Sequence, residues 1–87
     1  MGAYRLNISN AVKQDVRNVE RAILDRILQK IRSLADKPFP TGCRKLKGSS
    51  ASYRVRVGDY RIIYEVDTQN RTVTVFHVRH RKDAYQK

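Results

Sequence analysis

Hydrophobic and polar positions alternate with a period of two on either side of one central turn. Two segments rich in Val, Ile and Tyr, residues 53–57 and 60–66, flank the dipeptide Gly58-Asp59. Strand side chains alternate between faces, and glycine at the first central position suits a type II′ hairpin turn. The pattern predicts a tight hairpin. Its apolar face carries Tyr53, Val55, Val57, Tyr60, Ile62, Tyr64 and Val66, and its opposite face carries Arg54, Arg56, Arg61, Ile63 and Glu65.

The first half of the chain predicts one short strand followed by two helices. Residues 4–8 alternate apolar and polar side chains, as a strand does. Ser9 or Asn10 can cap a helix that begins near Ala11, and Asn18 can cap a second helix, although one long helix is the alternative. An apolar stripe predicts that the second helix packs on a sheet: Ile23, Ile27, Ile31 and Leu34.

The second half predicts strands separated by polar loops. Pro38 and Pro40 end the helical part, because proline lacks an N–H donor and disfavours helix in the residue before it. We expect a loop over residues 36–52, a turn over 67–71 and a fourth strand over 72–78. The chain is therefore predicted to be one α+β domain, residues 1–87. Its mostly antiparallel four-stranded sheet has two N-terminal helices packed on one face, and the other face is open and basic.

Charge narrows the range of partners. The 87 residues carry a formal net charge of +11, and 40% of them are hydrophobic. This composition predicts a folded domain that attracts a polyanion such as nucleic acid. No apolar segment approaches the roughly 18 residues of a membrane span, and the N-terminus lacks a signal-peptide core, so we expect a cytoplasmic protein without a membrane partner. The single cysteine, Cys43, fits a reducing compartment.

Arginine is the residue type that points most directly to chemistry. A guanidinium group binds phosphate through two parallel hydrogen bonds and stays charged at any working pH. Arginines near the sheet could therefore bind a phosphate backbone or stabilise charge on a reacting phosphate, or they could simply form a solvated basic face. Tyr85 could stack on a base or fold back on the sheet. The arginines concerned are Arg54, Arg56, Arg61 and Arg81.

Few residues offer other chemistry. His77 and His80 lie three apart, which places them on opposite faces of a regular strand, and no third metal ligand is near them in sequence. We therefore expect no metal site. His80 remains a candidate for proton transfer, and Glu65 could act as a base or pair with an arginine. No phosphate-binding loop, dinucleotide glycine pattern or nucleophile elbow is present, so no cofactor is expected.

Three segments together resemble a known family. They are Lys45-Leu46-Lys47-Gly48, the hairpin Tyr53-Arg54-Val55-Arg56-Val57-Gly58-Asp59-Tyr60-Arg61-Ile62-Ile63-Tyr64, and Val78-Arg79-His80-Arg81-Lys82-Asp83-Ala84-Tyr85. With the preceding strand and helices, they closely resemble the RelE/ParE superfamily of bacterial toxins, and most of all its RelE branch. The resemblance covers nearly the whole chain. It implies a RelE-like fold and a toxin that cleaves mRNA in the ribosomal A site until a cognate antitoxin inhibits it.

The implied reaction needs no metal, because the ribose 2′-hydroxyl attacks the adjacent phosphate. By resemblance, Arg61 binds phosphate, Arg81 is the general acid, and Tyr85 orients the substrate. Arg54 and Arg56 stand where the best-known members have lysines. Arginine rarely acts as a base, so proton removal would pass to another group, or catalysis would rest on electrostatics and on geometry imposed by the ribosome. The candidate bases are His80, Glu65 and Lys47.

The resemblance also implies partners and leaves alternatives open. We expect the ribosome, mRNA and an acidic RelB-like antitoxin as partners. A ParE-like inhibitor of DNA gyrase without nuclease activity is one alternative, and a plain RNA-binding module is another. Further basic residues are expected to contact RNA: Arg44, Lys45, Lys47, Arg79 and Lys82.

Overall fold

The computed structural model describes residues 3–48 and 51–82, which form two helices and one five-stranded sheet. The elements are β1 (Arg5–Ile8), α1 (Asn10–Asp15), α2 (Arg21–Ser33), β2 (Arg44–Lys45), β3 (Ser52–Val57), β4 (Tyr60–Asp67) and β5 (Thr72–His80). The strand order is β1-β5-β4-β3-β2; β1 runs parallel to β5, and all other neighbours are antiparallel. The predicted α+β class, with helices packed on one face of a mostly antiparallel sheet, is confirmed.

The sheet has five strands where the sequence predicted four. The extra strand, β2, lies inside the segment 36–52 that was expected to be a loop, and it pairs Arg44 with Arg54 and Lys45 with Tyr53. Both β2 side chains are exposed. A strand pairs through backbone N–H and C=O groups, which residues of any type can supply. Because both residues of β2 are polar and exposed, the sequence shows no alternation of apolar and polar positions there, and the strand could not be predicted from it.

The helices start close to the predicted positions, but their caps differ. Ser9 precedes α1 as expected, yet its hydroxyl donates to the Phe76 carbonyl oxygen at 2.9 Å and does not cap the helix. The second helix begins at Arg21 after Glu20, so Asn18 is not its cap. Both N-terminal helices are present, as predicted. In the part of the chain that is described, no helix is long and apolar enough to cross a membrane.

The core lies between the helices and one face of the sheet. Ile27, Ile31 and Leu34 are fully buried and bring the predicted stripe of α2 onto the sheet. Burying one such side chain contributes about 1.5–3 kcal/mol. The strands contribute their apolar alternate positions, as the hairpin pattern predicted: Val55, Val57, Ile62, Tyr64, Val66, Val73, Val75 and Val78.

The central hairpin closes through two residues, Gly58 and Asp59, between the paired residues Val57 and Tyr60. Gly58 has a φ of +57°, as the first central position of a type II′ turn requires. This turn fixes which residue of β3 faces which residue of β4. It therefore sets the arginine positions described below.

A bulge changes the phase of β5. Ile63 pairs with His77, but the next residue of β4, Tyr64, pairs with Val75, which leaves Phe76 unpaired. Val75 and Val78 both face the core as a result. The strand also runs to His80, two residues beyond the predicted end. A bulge inserts one residue and reverses the alternation beyond it, so His77 and Arg79 face away from the core.

Tyr64 ties the centre of the sheet to the segment after α2. Its fully buried hydroxyl donates to the Pro38 carbonyl oxygen at 2.8 Å, and its ring stacks on that of Tyr53 with centroids 6.0 Å apart. Burial raises the pKa of the Tyr64 hydroxyl well above its usual value. The hydroxyl therefore stays protonated and remains a donor throughout the physiological range.

Replacing Tyr64 by Phe should destabilise the fold. The substitution leaves the Pro38 carbonyl oxygen buried without this donor, which costs about 1–3 kcal/mol. In a domain of this size each kcal/mol lowers Tm by roughly 4–8 °C. Urea unfolding of Tyr64→Phe beside Tyr4→Phe measures the effect, since the Tyr4 ring is only half-buried and packs under Arg71. Equal stability of the two variants would contradict the role of this hydrogen bond.

Candidate phosphate-binding face

Three arginines lie in one row across adjacent strands on the open face of the sheet. Arg56 of β3 pairs with Arg61 of β4, and Arg61 in turn pairs with Arg79 of β5. The residues that precede or follow them, Val57, Ile62 and Val78, are buried against the helices. Neighbouring strands are about 4.8 Å apart, so the three side chains leave the sheet within one narrow area. We call this set the arginine row.

A second pair of arginines borders the row. Arg44 faces Arg54 across the β2–β3 pairing, and both line a hollow of about 110 Å³ together with Arg56, Arg61 and Gly42. None of the described residues that line this hollow is acidic. Arg56 also donates from Nε to the Gly58 carbonyl oxygen at 3.2 Å, which orients its side chain toward the hairpin turn. Four guanidinium groups around one hollow form a site suited to a phosphate.

The structure separates Arg81 from this row. Its backbone N–H donates to the Asp59 carbonyl oxygen at 2.7 Å, and its Nη1 lies 3.9 Å from Asp59 Oδ1. Arg81 is thus held at the hairpin turn, and Arg79 occupies the place beside Arg61. Tyr85, the other residue expected at the site, lies outside the described residues. Arg54, Arg56 and Arg61 are brought together as predicted.

The candidate bases lie apart from the row. Glu65 is on the same face, between Ser52 and Thr74, but four residues along β4 from Arg61, or roughly 13 Å. His80 pairs with Tyr60 on the helix side, and the two rings meet edge to face at 5.1 Å.

The remaining basic candidates are mostly exposed. Lys47 lies in the turn after β2, Arg44 and Lys45 form β2 itself, and Lys82 follows β5. The backbone N–H of Lys82 donates to His80 Nδ1 at 3.1 Å. Arg79 is half-buried. These residues extend positive charge from the hollow to the end of β5.

His77 is a site residue that sequence reasoning did not assign to the open face. Its Nδ1 lies 3.2 Å from Asp15 Oδ2 and 3.2 Å from Arg79 Nη2. The same Asp15 oxygen accepts from the Val78 backbone N–H at 3.0 Å. His77 and His80 are on opposite faces, as their spacing predicted. Across residues 3–48 and 51–82, no group of three His, Cys, Asp or Glu side chains could hold a metal ion.

Comparison with known proteins gives consistent matches. A family described as the ParE toxin of the type II toxin–antitoxin system parDE matches residues 6–85. The putative toxin RelE1 of Methanocaldococcus jannaschii is 28% identical over 86 residues, which cover 95% of this chain and 96% of that protein. The toxin RelG of Mycobacterium tuberculosis is 24% identical over 85 residues, covering 97% and 98%.

A solved structure agrees with the sequence relatives. The archaeal RelE–RelB complex from Pyrococcus horikoshii superimposes with a TM-score of 0.80 at 29% identity. The match covers 90% of this chain and 94% of that one. The five-stranded sheet with two helices on one face is therefore also the fold of a chain in that complex.

The hollow predicts salt-sensitive binding of a phosphate polyanion. For a single-stranded oligonucleotide, each phosphate contact contributes about 0.7 to the slope of log K against log salt concentration. Arg54→Ala should weaken binding and reduce the magnitude of that slope by about 0.7. Arg21→Ala, an exposed position on α2, is the matched control, and its slope should stay unchanged. Fluorescence anisotropy at several salt concentrations measures the slope for both variants. A slope for Arg54→Ala equal to that of the wild type would contradict the assignment.

Proposed function

The chain belongs to the family of ParE toxins of type II toxin–antitoxin systems, and on that premise we propose that it is a metal-independent endoribonuclease that cleaves mRNA in the ribosomal A site. The observation that carries the proposal is the arginine row, Arg56, Arg61 and Arg79, with the hollow beside it. Guanidinium groups around one hollow suit the binding of a phosphate, which a ribonuclease must hold during cleavage.

The chemistry asks three things of the protein. The ribose 2′-hydroxyl must lose its proton, negative charge on the phosphate must be stabilised while it develops, and the departing 5′-oxygen must gain a proton. Arginine is suited to the second task, since its fixed donors match the phosphate oxygens and need no reorganisation during the reaction. We assign this task to Arg61 and Arg79, which lie directly opposite each other on β4 and β5.

Arg54, Arg56 and Arg44 bind the neighbouring backbone in this proposal. They border the hollow on β2 and β3, beside Arg61. The exposed lysines, Lys45, Lys47 and Lys82, extend the basic surface that would contact ribosomal RNA. Tyr85 keeps the substrate-orienting role that the family resemblance implies.

Inhibition of DNA gyrase is the second candidate function, and the family name ParE favours it. In-vitro translation followed by primer extension on the message tests for codon-positioned cuts, and a DNA-supercoiling assay runs beside it. Cleavage with unimpaired supercoiling is the expected result. Loss of supercoiling with an intact message would contradict the ribonuclease function and support inhibition of DNA gyrase. If neither message cleavage nor loss of supercoiling is observed, the remaining candidate is a plain RNA-binding module.

Single-turnover cleavage on saturated ribosomes should identify the catalytic arginines. Arg61→Ala and Arg79→Ala should each lower the rate by roughly 10²–10³, as loss of a donor to a developing oxyanion does. The family resemblance gives Arg81 the general-acid role, whereas the sheet register favours Arg79 beside Arg61. A larger loss for Arg81→Ala than for Arg79→Ala would support the former assignment.

Two further variants complete that measurement. Arg79→Lys should recover only part of the rate, since an ammonium group keeps the charge but loses the paired hydrogen bonds. Arg21→Ala is the control for net charge and should cleave at the wild-type rate. Circular dichroism of each variant excludes unfolding, and unchanged rates for both Arg61→Ala and Arg79→Ala would end the catalytic assignment.

We also propose that an acidic antitoxin, initially disordered, neutralises the toxin by covering the arginine row or by wrapping the helices. A net charge of +11 accelerates encounter with an acidic chain, and the solved relative from P. horikoshii is a complex named RelE–RelB. Co-expression with the product of the adjacent reading frame should yield a stoichiometric complex that no longer cleaves mRNA. Full activity in that complex would contradict the proposal.

A further inference from the structure

His77 and Asp15 form a pair to which the proposed function has given no task. Asp15, at the end of α1, is largely buried and accepts from the Val78 backbone N–H at 3.0 Å, which fixes its carboxylate at the edge of β5 beyond the last residue of β1. His77 Nδ1 lies 3.2 Å from the same oxygen, while 37% of the histidine side chain stays exposed. A histidine held at Nδ1 by a carboxylate is the arrangement that prepares Nε2 for proton transfer.

The β5 bulge places this pair next to the arginine row. His77 lies opposite Ile63 of β4. Arg61 is the next open-face residue along β4, and it pairs with Arg79 of β5. Diagonal neighbours on a sheet face are about 7–8 Å apart at their Cα atoms. Arg61 can therefore hold a phosphate while His77 reaches the adjacent ribose. Among residues 3–48 and 51–82, the charged groups around His77 are Asp15 of α1, Arg79 of its own strand, and Arg61 and Glu65 of β4.

Asp15 and Arg79 make incompatible demands on one nitrogen atom. A carboxylate only accepts hydrogen bonds, so its contact requires a proton on His77 Nδ1. A guanidinium group only donates, so the contact of Arg79 Nη2 at 3.2 Å requires a lone pair on that same Nδ1. Only one of the two hydrogen bonds can exist at a time. Whichever partner prevails also decides whether Nε2 carries a proton or a lone pair.

We propose that His77, oriented by Asp15, is the general base of the cleavage reaction, an inference that rests on the proposed ribonuclease function. When an RNA phosphate binds Arg79, the guanidinium group leaves His77, and Nδ1–H donates to Asp15 in its place. The lone pair then lies on Nε2. The proposal assigns proton removal to His77. The arginines on this face, which stand in the positions of the usual lysines, cannot themselves act as bases.

The step balances as a transesterification. The Nε2 lone pair of His77 takes the proton of the ribose 2′-hydroxyl, and the 2′-oxygen forms a new bond to phosphorus. The bond from phosphorus to the 5′-oxygen breaks, and that oxygen takes a proton from solvent water. The products are a 2′,3′-cyclic phosphate and a 5′-hydroxyl end, and the imidazolium returns its proton to the hydroxide that remains. No oxidant, reductant or further reactant is required.

Single-turnover cleavage on programmed ribosomes, measured across pH, tests the base. The wild-type rate should rise with pH as the general base loses its proton. His77→Gln should lower the plateau rate by roughly 10²–10⁴ and abolish that rise, with ribosome affinity unchanged. His80→Gln is compared directly, because His80 is the other histidine and lies on the helix side.

Asp15→Asn separates the carboxylate charge from the stability of the fold. His77 Nδ1 and the Val78 N–H contact the same Asp15 oxygen, so the amide oxygen of asparagine can take its place and keep both contacts. The amide lacks the negative charge that stabilises the imidazolium formed when His77 takes the proton. The rate should therefore fall while Tm changes little. Asp25→Asn, at an exposed position of α2, is the matched control and should leave both rate and Tm unchanged.

The outcomes are distinct. Wild-type protein that cuts no message refutes the proposed function. Cleavage that keeps its rate and pH rise in His77→Gln, or loses the rise in His80→Gln instead, overturns only the assignment of the base. If a variant fails to fold, ¹⁵N NMR of wild-type His77 decides, with and without a 2′-deoxy oligonucleotide that binds but cannot react. Protonation of Nδ1 on binding supports the proposal, and an Nδ1 that stays unprotonated overturns it.

Discussion

The register of β3, β4 and β5 is the constraint on which the candidate site depends. Strand side chains alternate strictly, so a slip of one residue would turn the arginines of one strand toward the helices. The two-residue turn at Gly58-Asp59 and burial of one face against α2 both oppose such a slip. The same hydrophobic contacts that stabilise the fold therefore keep Arg56 beside Arg61, although neither arginine takes part in the core.

The bulge at Phe76 is equally important for β5. Val73 and Val75 face the core, so uninterrupted alternation would carry His77 and Arg79 inward as well. The unpaired Phe76 reverses the phase, and Val78 returns to the core. His77 and Arg79 then join the open face, where Arg79 extends the row begun by Arg56 and Arg61. Bulges often re-aim side chains next to functional sites, and this one supplies two residues at once.

Crowding like charges opposes folding, and the rest of the molecule offsets that cost. Arginines directly opposite one another on a sheet repel, and a net charge of +11 adds to the repulsion. The stabilising interactions lie on the other face of the sheet. They are the apolar contacts of Ile27, Ile31 and Leu34 and the buried hydrogen bond from the Tyr64 hydroxyl to the Pro38 carbonyl oxygen. An acidic or phosphate-bearing partner would relieve the repulsion, which is consistent with a protein that acts on one polyanion and is inhibited by another.

The sequence by itself determined the fold class, the hairpin and the arginines of β3 and β4, because their alternation and the glycine turn are local features. Tertiary structure decided the rest. The short strand β2 pairs through its backbone and leaves no mark in its two polar residues. Arg79 joins Arg61 while Arg81 contacts Asp59, since the phase of β5 follows from a bulge defined only by its pairing with β4. Asp15 meets His77 across 62 residues of chain, a contact created by packing α1 beside the sheet edge, and no local pattern encodes it.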